Sequence, residues 1–130
     1  MTNEANSMLL EKIAAQIQQA LLLAEQGDLM GSEALYLEVL DQESGHPQAL
    51  YGLAQLAGAI NDLEVKEVLL SQAIEQLVDT TSPEQKSLEA LWLTELAEVL
   101  FKLNRPTDAM YCLTQCESLI VENLNAPPAC

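Results

Sequence analysis

Aromatic and basic residues are scarce in this chain of 130 residues. It contains one Trp, three Tyr and one Phe, and its five lysines and arginines face 20 aspartates and glutamates. The net charge of −15 repels phosphate, which argues against nucleic acid and anionic membranes as partners. In the simplest interpretation, the negative charge only keeps the protein soluble. In a functional interpretation, it favours binding to apolar or basic protein partners.

Long apolar runs are absent, and cysteines are few. No run approaches the ~20 residues of a membrane span. Residues 1–7 have no basic region, and no small-residue cleavage site follows a continuous apolar core, so we expect no secretory signal. Three cysteines are an odd number, and two of them lie within helical patterns. This usage favours a reducing compartment, and we therefore expect a cytoplasmic protein.

Residue types that carry catalysis or bind metals are also rare. His46 is the only histidine, and we expect an exposed helix-entry residue there rather than part of a catalytic pair. Cys112 and Cys116 are spaced to share a helix face but supply only half of a zinc site. We interpret Cys116 as a small core residue and expect Cys130 to be exposed on the tail. The sequence predicts no catalytic residue, no metal, no cofactor and no enzymatic activity.

The chain is rich in leucine and alanine, and these residues recur at helical spacing. In the segment 47–78, apolar residues recur every three or four positions on both sides of Asn61-Asp62, which predicts two antiparallel helices joined by a short turn. The recurring positions are Leu50, Leu53, Ala54, Ala57 and Ile60, then Val65, Leu69, Leu70, Ala73, Ile74 and Leu77.

The same pattern occurs three times. Gly27-Asp28 lies 34 residues before Asn61-Asp62, and Asn104-Arg105 lies 43 residues after it. The second spacing is nine residues longer than the first, and the additional residues lie around 79–83. We predict six helices, at about 8–26, 29–43, 47–60, 62–78, 83–103 and 106–124. Ser82 and Gln85 predict a capping box at the start of the fifth helix. Residues 1–7 are expected to fray, and residues 125–130 to form a non-helical tail.

A 34-residue period with a helix–turn–helix in each copy resembles the tetratricopeptide repeat, over roughly residues 12–120. This sequence departs from the family pattern at its Trp position, occupied by Gln16, Leu50 and Leu93, and at its Gly position, occupied by Ala20, Ala54 and Ala97. The resemblance implies an all-α fold, namely an α-solenoid of three degenerate repeats in a right-handed arc. The repeats would span about 12–46, 47–80 and 84–123 of a single domain, residues 1–124.

The resemblance also implies a partner-binding groove lined by the first helix of each repeat. Carried over by register, its residues would be Ile17, Leu21, Ala24, Tyr51, Gln55, Leu91, Thr94, Glu98 and Phe101. We expect an apolar, slightly acidic trough with Tyr51 and Phe101 as aromatic anchors. Such a trough suits an apolar or basic peptide, or an amphipathic helix.

One subclass of the family clamps the C-terminal carboxylate of heat-shock chaperones with Lys, Asn and Arg side chains. The matching positions here are Ile17, Leu21, Gly52, Leu91 and Glu95. None of these side chains can donate a hydrogen bond to a carboxylate. The sequence therefore argues against that activity.

The function expected from the resemblance is that of a protein–protein interaction adaptor or scaffold. Two alternatives stay open: an acidic secretion chaperone similar to those of type III translocators, and an accessory subunit of a larger enzyme complex. The sixth helix mixes apolar and polar residues on its outer face, which also allows a homodimer.

Overall fold

The computed structural model describes residues 2–77 and 82–125. Their regular structure is entirely helical, so the predicted all-α class is confirmed. The six helices are α1 (Thr2–Glu25), α2 (Leu29–Gln42), α3 (Pro47–Ala59), α4 (Leu63–Glu75), α5 (Pro83–Lys102) and α6 (Pro106–Asn125).

The largest difference from the predicted boundaries lies at the N-terminus. Helix α1 begins at Thr2 and not near Met8. Residues 2–7 contain no Gly or Pro, so nothing in the chain interrupts the helix, and residues 4–10 project into solvent from it. At the other end α6 extends to Asn125, and the remainder of the predicted tail, 126–130, lies outside the described residues.

The predicted capping box at the start of α5 is wrong. Ser82 occupies the N-cap position but makes no side-chain capping bond to the backbone. Its hydroxyl donates instead to a Glu84 carboxylate oxygen at 2.6 Å, and this bond lowers the pKa of Glu84. The helix start therefore depends on Pro83, whose fixed φ suits the first helical position.

The turns between α1 and α2, α3 and α4, and α5 and α6 have the same backbone structure. Each contains one residue with positive φ: Gly27 at 90°, Asn61 at 62° and Asn104 at 64°. Gly and Asn are the residues that best tolerate this left-handed conformation. The next N–H donates to the carbonyl five residues earlier at 2.8 Å in all three turns, from Asp28 to Leu23, Asp62 to Ala57 and Arg105 to Leu100.

The residue after each left-handed position fixes the start of the following helix. Asp28 and Asp62 cap α2 and α4 by accepting backbone N–H bonds at 2.9 and 3.4 Å. In the third turn Arg105 replaces the aspartate. Its guanidinium donates to Asp108 at 2.9 Å and to Glu67 of α4 at 2.7 Å, so this turn is tied to the preceding helix pair.

Helices that are consecutive across these turns form the closest packed pairs, α1 with α2, α3 with α4, and α5 with α6. Contacts between α2 and α3, α4 and α5, and α1 and α3 join each pair to the next. Leu40 and Leu69 pack against both of the buried clusters that make up the core. This arrangement leaves the sides of α1, α3 and α5 that face away from their partners free to form a surface together.

Candidate functional site

An open hollow of about 360 Å³ lies between α1, α3 and α5 and is called the groove below. Twelve of its lining residues come from these three helices, and the thirteenth is Tyr36 of α2. The lining consists of Ile17, Gln18, Leu21, Ala24, Tyr36, Gln48, Tyr51, Gly52, Gln55, Leu56, Leu88, Leu91 and Trp92. It is mostly apolar, and its polar members are uncharged.

Six of the nine predicted site residues line this groove, and three do not. The six are Ile17, Leu21, Ala24, Tyr51, Gln55 and Leu91. Thr94 faces α6 instead: its hydroxyl donates to the Ala90 carbonyl at 2.9 Å and lies 3.4 Å from the Cys116 sulfur. Glu98 and Phe101 are exposed but lie farther along α5, beyond the part of this helix that lines the groove.

The floor of the groove is an aromatic stack. The rings of Tyr51 and Trp92 lie with their centroids 4.6 Å apart and their planes inclined by 9°. Trp92 is only 2% exposed and belongs to the hydrophobic core, so the stack joins the groove to the packed interior. The shape of the floor therefore depends on core packing and is held before any partner binds.

Glu95 places one negative charge beside this floor. The Tyr51 hydroxyl donates to one carboxylate oxygen, and the Gln55 amide donates to the other at 3.0 Å. Burial, together with the hydrogen bond to Glu95, raises the pKa of Tyr51 well above its usual value, so the phenol stays protonated as a donor. None of the five basic side chains lines the groove. Its electrostatic character is therefore neutral to acidic.

Tyr36 reaches the groove across a glycine. An added Cβ on Gly52 would lie 2.2 Å from Cζ of the Tyr36 ring, so the ring lies directly on the α3 backbone. Burial raises the pKa of Tyr36, and its side chain is 2% exposed. Sequence reasoning missed this residue because it lies on a second helix of a pair. The available signal was a glycine inside a helix, which often marks a close approach.

The rim of the groove is formed by two exposed leucines on different helices. Leu21 of α1 is 47% exposed and Leu91 of α5 is 55% exposed. Both side chains line the hollow and are open to solvent. An apolar side chain that entered between them would bury apolar surface without displacing any residue of the core.

A second hollow, of about 520 Å³, lies where α2, α3 and α4 meet, and the sequence did not predict it. It is lined chiefly by apolar side chains, among them Met30, Leu37, Ile60 and Val65, and also by Glu33 and Asp62. It is larger than the groove, but its lining comes from only two of the three helix pairs.

The residues considered for catalysis or metal binding lie apart from the groove lining. His46 is a partly buried helix cap and not an exposed residue: its Nδ1 accepts the Ala49 N–H at 3.3 Å. Cys112 and Cys116 are buried, and burial raises the pKa of Cys112. Within residues 2–77 and 82–125, no three His, Cys, Asp or Glu side chains form a group that could hold a metal ion.

In the part of the chain that the structure describes, no helix combines the length and apolar character needed to cross a membrane. In comparisons with known proteins, no family model matches this chain and no curated protein matches it significantly.

Proposed function

We propose that this chain is a solenoid of three degenerate tetratricopeptide-like repeats that binds a segment of a partner protein in the groove. The repeat interpretation is supported by three turns of the same structure, of which the first two are separated by the 34-residue period. Packing of each helix pair against its chain neighbour also supports it. Short repeat arrays present concave surfaces that bind other proteins, and this supports an adaptor role.

The observation that carries the binding proposal is the construction of the groove. It is open and mostly apolar, its aromatic floor is held by the core, and exposed leucines form its rim. Concave, preformed apolar hollows with a few polar groups are the usual form of binding sites. The partner segment would be apolar, with basic residues near Glu95 favoured by the charge of the chain.

The test is to select binding peptides and locate their site by charge insertion. A random 12-residue peptide library would be selected on the intact chain, and the affinity of the enriched peptide measured by calorimetry. We expect Leu91→Glu to weaken binding at least tenfold, about 1.4 kcal/mol, because a carboxylate would have to be desolvated at the rim.

Leu37→Glu is the matched control, because Leu37 is 52% exposed and lines the second hollow instead. It adds the same charge to the same protein and should leave the peptide affinity within about twofold. Circular dichroism would verify that both variants keep their helix content. Equal affinity of the peptide for the parent chain and for Leu91→Glu would refute binding in the groove.

A further inference from the structure

Two buried side chains that line the groove, Tyr36 and Trp92, each carry a hydrogen-bond donor without a partner in the described part of the chain. Tyr36 and Trp92 are each 2% exposed, and both line the hollow. Neither the Tyr36 hydroxyl nor the Trp92 Nε1–H has a hydrogen-bond partner among the described residues. Two neighbouring hydroxyls are paired: that of Tyr51 donates to Glu95, and the buried hydroxyl of Ser32 donates to the Ala20 carbonyl at 2.7 Å.

The coincidence of these two groups points to a ligand. Buried polar groups in folded proteins are nearly always hydrogen-bonded, because leaving one unpaired costs free energy. Here two such unpaired groups belong to side chains that line the same hollow, and they come from different helices, α2 and α5. A bound partner that satisfied both donors would recover this cost on binding.

The chemistry of the two donors restricts what the ligand presents. The indole N–H can only donate, and the phenol can donate to the same kind of group, so both are satisfied by acceptor atoms. An anionic acceptor would be repelled by the Glu95 carboxylate and by the net charge of −15 on the chain. Carbonyl oxygens of a peptide backbone are acceptors and carry no net charge, so they suit both donors and the acidic surroundings. In a helix these carbonyls are used internally, whereas an extended peptide leaves them free.

We propose that Tyr36 and Trp92 donate hydrogen bonds to main-chain carbonyl oxygens of an extended partner segment bound in the groove. The inference rests on the proposed function and narrows it, because it selects an extended peptide over an amphipathic helix. Apolar side chains would enter between Leu21 and Leu91, and the two donors would fix the position of the peptide backbone.

The first test removes one oxygen atom. Tyr36→Phe keeps the ring on Gly52 and deletes only the unpaired hydroxyl, so the unfolding midpoint should be unchanged or raised. Affinity for the selected 12-residue peptide should fall on the order of five- to tenfold, the factor expected for one neutral hydrogen bond. Tyr111→Phe is the matched control, because Tyr111 lies on α6 away from the groove and its hydroxyl accepts from Gln115.

The second test uses the single tryptophan of the chain, which gives one indole N–H resonance in a ¹⁵N-labelled sample. On addition of the selected peptide this resonance should move downfield and its exchange with water should slow, as expected when a free N–H becomes a hydrogen-bond donor. The bound peptide should show no helical pattern of nuclear Overhauser effects along its backbone.

The outcomes separate this inference from the proposed function. Unchanged affinity in Tyr36→Phe, an unmoved indole resonance or a helical bound peptide would each overturn the carbonyl proposal, provided that Leu91→Glu still weakens binding. If Leu91→Glu has no effect on the peptide, the groove itself is the wrong site and the proposed function fails first.

Discussion

Trp92→Ala is expected to destabilise the fold by about 3–5 kcal/mol, the range for removing a buried Trp from a packed core. Trp92 is among the largest fully buried side chains and stacks on Tyr51, so the substitution removes core volume and an aromatic contact together. Since domains of this size are typically stable by about 5–15 kcal/mol, a large share of the total would be lost. The measurement is urea denaturation followed by far-ultraviolet circular dichroism, because the variant contains no tryptophan to report by fluorescence.

Two variants of the same region provide controls for Trp92→Ala. Trp92→Phe retains a ring opposite Tyr51 and should cost clearly less than the alanine variant. Leu91→Ala changes the adjacent residue, which is 55% exposed, and should alter stability by less than about 1 kcal/mol. A loss of less than about 1 kcal/mol in Trp92→Ala would mean that the tryptophan does not hold the groove floor in the core.

Gly52→Ala is expected to destabilise the fold by about 1–2 kcal/mol, although alanine is the better helix former by about 1 kcal/mol. The added methyl group would meet the Tyr36 ring at 2.2 Å, and overpacking of this kind typically costs about 1–3 kcal/mol. Tyr36 is 2% exposed and belongs to a buried core cluster, so moving its ring away from Gly52 would disturb that packing. Thermal and urea denaturation of the variant would give the size and the sign of the change.

Gly58→Ala is the matched control on the same helix. A Cβ there would approach only the end of the Lys66 side chain, at 3.0 Å from Nζ, and this flexible chain can move aside. Gly58→Ala should therefore be neutral or stabilising. In a Tyr36→Leu background the steric cost of Gly52→Ala should largely disappear. If both glycine variants behaved alike, the close approach of Tyr36 to α3 would not exist in solution.

The helical fold was predictable because the apolar residues recur at helical spacing and the turns between helices are marked by Gly or Asn. Gly27, Asn61 and Asn104 interrupt apolar periodicity at comparable places, and the turns follow from the few residues that tolerate positive φ. The N-terminal extension of α1 was not predictable from apolar periodicity, because the exposed residues 4–7 carry no apolar pattern that requires burial. The Ser82 capping box failed because a nearby carboxylate competes for the same hydroxyl.

The sequence predicted the groove residues correctly only where the position of a residue along α1, α3 or α5 is enough to place it in the groove. Leu21, Tyr51 and Leu91 lie on α1, α3 and α5, and all three line the groove. Phe101 and Glu98 do not line it, because the groove is formed by the part of α5 around Leu88–Trp92 and not by its C-terminal end. Tyr36 depends on how two helices approach at Gly52, a feature of packing that periodicity does not encode.

The most direct test of groove binding is to map the selected peptide on the methyl groups of the intact chain by nuclear magnetic resonance. Binding in the groove predicts that the methyl resonances of Ile17, Leu21, Leu88 and Leu91 shift in a saturable titration, whereas those of Leu37, Ile60 and Val65 in the second hollow stay in place. Shifts confined to the second hollow, or to α6, would contradict the proposal that α1, α3 and α5 together form the binding surface.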